Sequence, residues 1–263
     1  MAARAKTPNA LPGAIRQPIL ATYATRATPV AGFRFRGTLV SNVDAGLDRY
    51  KPAERRMADP GYNHGSIARI GGQWHVFYHR HSNGHGYSRQ ACMEPIELRH
   101  GCEFVQVEIT SRGPNGGPLP GEGSFPAYAA CHIGSGDRVP EEPAVPGLRM
   151  EGCFPYVTQD GPDGSEGPAH VANLVDGAWV GFKDFDCKGT SLAAVTTRGW
   201  SMGKFEVLTD IDGAPIGTVS LARRNEWTSH PAGVRIPDGV RTLYLRYRGV
   251  GYADLLDFTL ERN

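Results

Sequence analysis

A two-glycine turn between alternating apolar runs constrains this chain more than any other feature. Ser66 to Ile70 is short and strand-like, Gly71-Gly72 follows, and Trp74 to His79 then alternates. Paired glycines accept the positive φ angles of a two-residue hairpin. Successive side chains of a strand point to opposite faces. Trp74, Val76 and Tyr78 therefore share one face, and His75, Phe77 and His79 the other. Aromatic and β-branched residues suit such a pleated surface. His64 stands just before the first strand and Arg89 just beyond the second. A hairpin returns its chain to where it began, so those two ends are expected near each other.

The same grammar recurs along the 263 residues. Short alternating runs lie between turn residues, glycine (34) and proline (20) are abundant, and helical patterns are scarce. That predicts an all-β protein. The length suits one large or two ordinary domains. A formal net charge of +1 gives no argument for nucleic acid or an acidic membrane surface as partner. No apolar run approaches the ~20 residues of a membrane-spanning helix. The cysteines, Cys92, Cys102, Cys131, Cys153 and Cys187, form no C-x-x-C pair, so a structural zinc site is not expected. Reduced, partly buried thiols are the plain reading, and spacing establishes no disulfide.

Residues 21 to 43 read as one or two strands and 44 to 62 as a polar loop. His81 to Gly86 reads as a second loop, and Glu94 to His100 as a short strand turned by Gly101. Phe104 to Thr110 alternates imperfectly, and Gly113 to Gly123 reads as loop. Gly134 to Gly147 has linker composition, and the domain boundary is placed at 137–148. Alternation then resumes at Tyr156 to Thr158, Trp179 to Phe185, Leu192 to Thr197, Lys204 to Leu208, Ile216 to Val219, Thr242 to Tyr247 and Leu255 to Leu260. Asp176-Gly177, Asp212-Gly213 and Asp238-Gly239 supply turns between them. This spacing predicts a β-sandwich of roughly a hundred residues.

Two stretches carry resemblances. Asn63-His64-Gly65-Ser66, Gly71-Gly72-Gln73-Trp74, Phe77-Tyr78-His79-Arg80 and Tyr87-Ser88-Arg89-Gln90, continued by Glu94-Pro95-Ile96, Gln106 to Ser111 and Asn115 to Leu119, resemble glycoside hydrolase family 43. The likeness covers roughly residues 30 to 133 and implies the last blades of a five-bladed β-propeller. Ala172-Asn173-Leu174, Gly177 to Phe182, Gly203 to Val207, Trp227 and Leu243 to Gly249 resemble carbohydrate-binding module family 6. That likeness covers about 149 to 263 and implies a jelly-roll sandwich. The expected architecture is thus all-β, partial β-propeller blades followed by a jelly-roll β-sandwich. The divisions are a ragged, disordered 1–20, blades over 21–136, a linker over 137–148 and the sandwich over 149–263.

The first residues carry Arg4, Lys6, Arg16, Arg26, Arg34 and Arg36 with no acid before Asp44. Neither a helical amphipathic stripe nor the apolar run of a secretory signal accompanies them. With the resemblance, this leads to the expectation that the sequence starts part-way through a longer enzyme. Localisation stays open; the parent family is usually secreted or surface-bound.

Family 43 enzymes are inverting, with two carboxyl groups about 6.5–9.5 Å apart. The family takes its catalytic carboxylates from earlier blades, so the resemblance supplies no catalytic residue here. Asp44, Asp48, Glu94, Glu97 and Glu108 read mostly as solvated strand or loop residues. The resemblance places His64 in the central cavity, beside a calcium or its waters, and Arg89 in the sugar pocket. An ordinary turn histidine and a surface ion pair are the plain alternatives. His75, His79, His81 and His85 invite a zinc reading. His75 and His79, however, lie roughly 13 Å apart at the strand rise, and no acid lies between Asp59 and Glu94.

In the sandwich, sugar binding needs an aromatic platform and a few polar groups. Trp179 reads as core and Trp200 as a turn residue. Trp227 and Tyr252 fall on expected loops and are the carbohydrate-binding candidates, with packing at the rim the alternative for each. The family 6 likeness implies a structural calcium, for which Glu151 and Asp257 are the metal candidates. The expected function is a family 43-like glycoside hydrolase of arabinan or xylan breakdown, inactive as this chain alone. The alternative is a non-catalytic carbohydrate-binding protein acting through the sandwich. The expected partners are plant polysaccharide or oligosaccharide, and a chain carrying the missing propeller blades.

Overall fold

The computed structural model describes residues 20–25, 31–41, 64–80, 89–99, 103–136, 155–162 and 165–263. Expectations on 1–19, the 44–62 and 81–86 loops, the 137–148 linker and Glu151 lie outside them.

The first strands are β1 (Leu20–Thr25), β2 (Arg34–Ser41), β3 (Ser66–Ile70), β4 (Gln73–Arg80), β5 (Gln90–Ile96), β6 (Leu98–Arg99) and β7 (Glu103–Phe104). The hairpin forms as its sequence dictates: Ile70 pairs with Gln73 across Gly71 and Gly72, at φ 55° and 89°. β3, β4 and β5 make a three-stranded antiparallel meander, and β1 pairs with β2. Pro95 lacks an N–H and is accommodated because β5 is an edge. Leu39, Val40, Val76, Tyr78, Ile96, Ile109 and Cys131 bury a small core, with Trp74 packed against it. This is the face that the alternation of Trp74, Val76 and Tyr78 pointed inward.

The rest is a sandwich. Its strands are β8 (Leu119–Pro120), β9 (Gly123–Pro126), β10 (His132–Ser135), β11 (Tyr156–Gln159), β12 (Ala169–Leu174), β13 (Ala178–Cys187) and β14 (Thr190–Gly199). β15 (Ser201–Leu208), β16 (Gly217–Leu221), β17 (Arg224–Arg235), β18 (Gly239–Gly251) and β19 (Ala253–Arg262) complete it. One sheet runs β10-β13-β18-β15-β16 with β8 on β13; the other runs β11-β12-β19-β14-β17 with β9 on β19. Between them lies one large apolar core. Phe258 sits at its centre, 4.6 Å from Phe182 and 5.6 Å from Phe125 between ring centroids. The described residues contain no α-helix, only a 3-10 turn at Ala127–Ala129. The architecture is therefore all-β, a blade-like sheet region followed by a sandwich.

Three findings differ from the sequence reading. First, β8, β9 and β10 come from the segment assigned to the blades, yet they pair with β13 and β19 of the sandwich. The sandwich takes up the chain from Leu119, ahead of the 137–148 boundary. Second, the stretch around Trp227 is strand β17, not loop. Pro231 and Gly233 disguise it, and they are tolerated because β17 is an edge strand with a register shift opposite Leu192 and Ala194. Third, Glu94 is only 3% exposed, although it reads as a solvated residue. It pairs with Val76, so it shares the core face.

The two regions meet through polar contacts. The Arg80 guanidinium, buried, donates to the carbonyls of Cys131 (2.9 Å) and Ala130 (2.8 Å). Lys183 of β13 pairs with Glu108 at 2.7 Å, and the Lys183 carbonyl accepts from the Ser111 N–H. Cys92, Cys131 and Cys187 are free thiols.

Candidate functional site

Three turns converge at one end of the sandwich. Gly199-Trp200 joins β14 to β15, Ala222-Arg223 joins β16 to β17, and Tyr252 joins β18 to β19. The first and last are locked together: the Tyr252 N–H donates to the Trp200 carbonyl at 3.2 Å. Gly251 (φ 82°) has no room for a side chain, because a Cβ there would strike that same carbonyl. The sequence thus repeats one device, a glycine at positive φ followed by an aromatic whose ring stays exposed. Between the turns lies a cavity of roughly 500 Å³ lined by Trp200, Tyr252, Arg223, Asn225, Arg198 and Asp254. Trp200 and Tyr252 are 44% and 42% exposed, so their rings are available to a ligand.

The polar groups divide into saturated and available ones. Arg198 makes a fork to Asp160, at 2.6 and 2.8 Å, and reaches Asp254 at 3.5 Å. The guanidinium holds the Asp160 carboxyl below the usual carboxylate range. Asp254 also accepts from the Asn173 N–H at 3.0 Å. Arg223, by contrast, lies over the Trp200 ring at 5.4 Å, a contact worth about 0.5–1 kcal/mol at an exposed site.

Of the sequence candidates, Tyr252 is on this cavity. Trp227 is one layer behind it: half-buried in β17, with Arg198 4.2 Å over its ring and His170 against it at 5.1 Å. Trp179 is buried and donates to the Gly136 carbonyl at 2.9 Å. Asp257 is half-buried in β19, opposite Thr196 and Pro126. Among the described residues no three His, Cys, Asp or Glu side chains stand close enough to hold a metal.

At the blade, the hairpin brings His64 and Arg89 together around His79. Arg89 Nε donates to His79 Nε2 at 3.1 Å, and the His64 and His79 rings stack at 5.1 Å. A neutral imidazole has one acceptor nitrogen. The His64 N–H approaches His79 Nδ1 at 3.4 Å, so both ring nitrogens face a donor and the shorter Arg89 contact is the stronger one. His64 and Arg89 are both exposed.

Glu94 is the functional-type carboxyl that register should have found. Thr110 donates to it from N–H and Oγ, at 2.8 Å each, and Tyr78 from its hydroxyl at 3.3 Å. Burial outweighs these donors and pushes its pKa up to about 7. Arg223 and Asn225 were beyond reach, because their turn abuts a strand that reads as loop.

Residues 153–262 match the model of the carbohydrate binding module (family 6). Over 238 residues the chain is 46% identical to a xylosidase/arabinosidase of Thermoclostridium stercorarium, covering 90% of this chain. The chain spans half the length of that relative. Among solved structures it is similar to a family 43 arabinoxylan arabinofuranohydrolase from Bacillus subtilis in complex with cellotetraose. The identity is 19%, with 91% of this chain and 46% of that one covered and a TM-score of 0.48. A family 6 module from Clostridium cellulolyticum in complex with xylose matches at 19% identity. It covers 55% of this chain and all of that one, with a TM-score of 0.40.

Proposed function

We propose that this chain serves a family 43-like glycoside hydrolase of arabinan or xylan breakdown, and that its sandwich binds the polysaccharide in the cavity between Trp200 and Tyr252. The cavity carries the reading: two exposed rings and a few convergent polar groups suit a sugar, whose C–H face stacks on aromatics while its hydroxyls seek hydrogen bonds. The module match and the xylosidase/arabinosidase relative support it. Trp227, the stacking candidate from sequence, then acts behind the cavity by holding Arg198. A pull-down on insoluble arabinoxylan tests the reading. Wild type should be retained, and Trp200→Ala and Tyr252→Ala should each lose most of that retention. Nitrophenyl arabinofuranoside and xyloside, assayed beside it, show whether this chain hydrolyses as well as binds.

Three finer elements belong to the same proposal. His64 and Arg89 would contact substrate from the blade side, checked by the effect of Arg89→Ala on hydrolysis by the assembled enzyme. A calcium held through Glu151 and Asp257 would raise Tm, and chelator would remove that gain. A chain carrying further blades would dock beside β2, where Phe33 and Phe35 are 61% and 59% exposed; co-purification checks it.

A further inference from the structure

The charge balance of the cavity points beyond a neutral sugar. Arg198 is matched by Asp160 and Asp254. Asp254 is itself occupied, by Arg198 and by the Asn173 N–H. Among the described residues, the one acid on the cavity wall is therefore spent on the wall. Arg223 is exposed, and no carboxylate of the described residues stands within ion-pair distance of it. Among the described residues, what remains facing the cavity is one guanidinium without a carboxylate, in weak contact over Trp200. Asn225 stands near it on the same wall, with both a donor and an acceptor for a hydroxyl.

We propose that the cavity takes an acidic sugar, a uronate unit, with Arg223 as the partner of its carboxylate. The inference rests on the sugar-binding reading and names the sugar class. Its geometry is that of a pyranose ring. The C–H face of the ring lies on Tyr252, and the carboxylate projects from the ring edge, away from the electron-rich aromatic face that would repel it. Arg223 leaves Trp200 and donates its planar fork to both carboxylate oxygens. That exchange replaces an exposed cation–π contact by two charge-assisted hydrogen bonds, and it frees the Trp200 face for the sugar. Lysine would supply the charge without the fork, so Arg223→Lys should keep only part of the preference.

The test is calorimetric titration of the whole chain with two probes. One is a xylooligosaccharide bearing a glucuronic acid branch; the other is the same oligosaccharide with that carboxyl reduced to the alcohol. The wild type should bind the acid about tenfold tighter than the alcohol, and added salt should narrow the gap. Arg223→Gln should abolish the preference, bringing the ratio of acid to alcohol affinity close to one. Equal affinity of the wild type for both probes, or a preference untouched by Arg223→Gln, overturns the uronate assignment and leaves sugar binding standing. No binding of either probe overturns both. Arg223 is exposed, so an unaltered denaturation midpoint for Arg223→Gln shows that the fold is intact.

Discussion

The blade-like region and the sandwich bury different things. The sandwich closes two sheets over a continuous apolar core in which Phe182, Phe185 and Phe258 are almost fully buried. The blade core is small, and Glu94, Arg80, His75 and Thr110 are buried beside it. A sandwich core is stabilised by area removed from water, and its loss on truncation scales with the cavity left. A polar core depends on partners, and a buried polar atom deprived of one costs more than its hydrogen bond contributed. The sandwich therefore stands as a scaffold that can hold aromatic rings out into solvent. The blade leans on the sandwich through Arg80 and the 108–111 strip.

The largest expected effect falls in the sandwich. Phe258→Ala removes the ring at the centre of the aromatic cluster and should cost about 3–5 kcal/mol in denaturant unfolding. A loss below about 1 kcal/mol would show that this core is not the scaffold it is taken to be.

Next comes the pH response of the blade. The folded protein holds the Glu94 proton more tightly than the unfolded chain does, since its pKa rises from 4.5 to about 7. That stabilisation is full below the unfolded value and fades as pH climbs through the folded one. Over that window the stability should fall by about 3 kcal/mol. In Glu94→Gln the fall should be absent. Asp160, held down by Arg198, and Glu206, where burial pushes up but Arg246 and Arg248 outweigh it, act in the opposite sense and in more acidic solution. An unchanged slope in Glu94→Gln would move the source elsewhere.

Arg80→Met keeps the apolar stem but strands two carbonyls at the junction, for a loss of about 2 kcal/mol. Its signature should be faster amide exchange at 129–131 with the sandwich strands unaffected. At the bottom stands Arg99→Ala. It breaks a fully exposed pair with Glu97 and should leave the unfolding curve where it was.

The same contrast explains what the sequence made legible. Gly71-Gly72 sets its hairpin through local backbone preference, and the three Asp-Gly turns mark β12, β13, β15, β16, β17 and β18 for the same reason. β8 and β9 are short, rich in glycine and proline, and made strands by distant partners in β13 and β19. Their own composition says loop. β17 carries Pro231 and Gly233 and is strand because β14 pairs with it. At the cavity, Tyr252 was legible as an aromatic on a turn. Pairing Gly199-Trp200 with Gly251-Tyr252 would have added Trp200 to it. Arg223 and Asn225 become visible only when three turns well separated in sequence come together. Glu94 reads as solvated from its own charge, and its burial follows from the register that sets it opposite Val76.

The most direct test of the account is calorimetric titration of arabinoxylan oligosaccharide into the wild type and into the Trp200→Ala, Tyr252→Ala double variant. The account predicts one saturable site in the wild type and at least about thirtyfold weaker binding in the double variant, about 1 kcal/mol or more for each ring truncated, with both proteins unfolding at the same midpoint. Undiminished binding in the double variant would contradict it, and would place the sugar site away from the end of the sandwich where these turns meet.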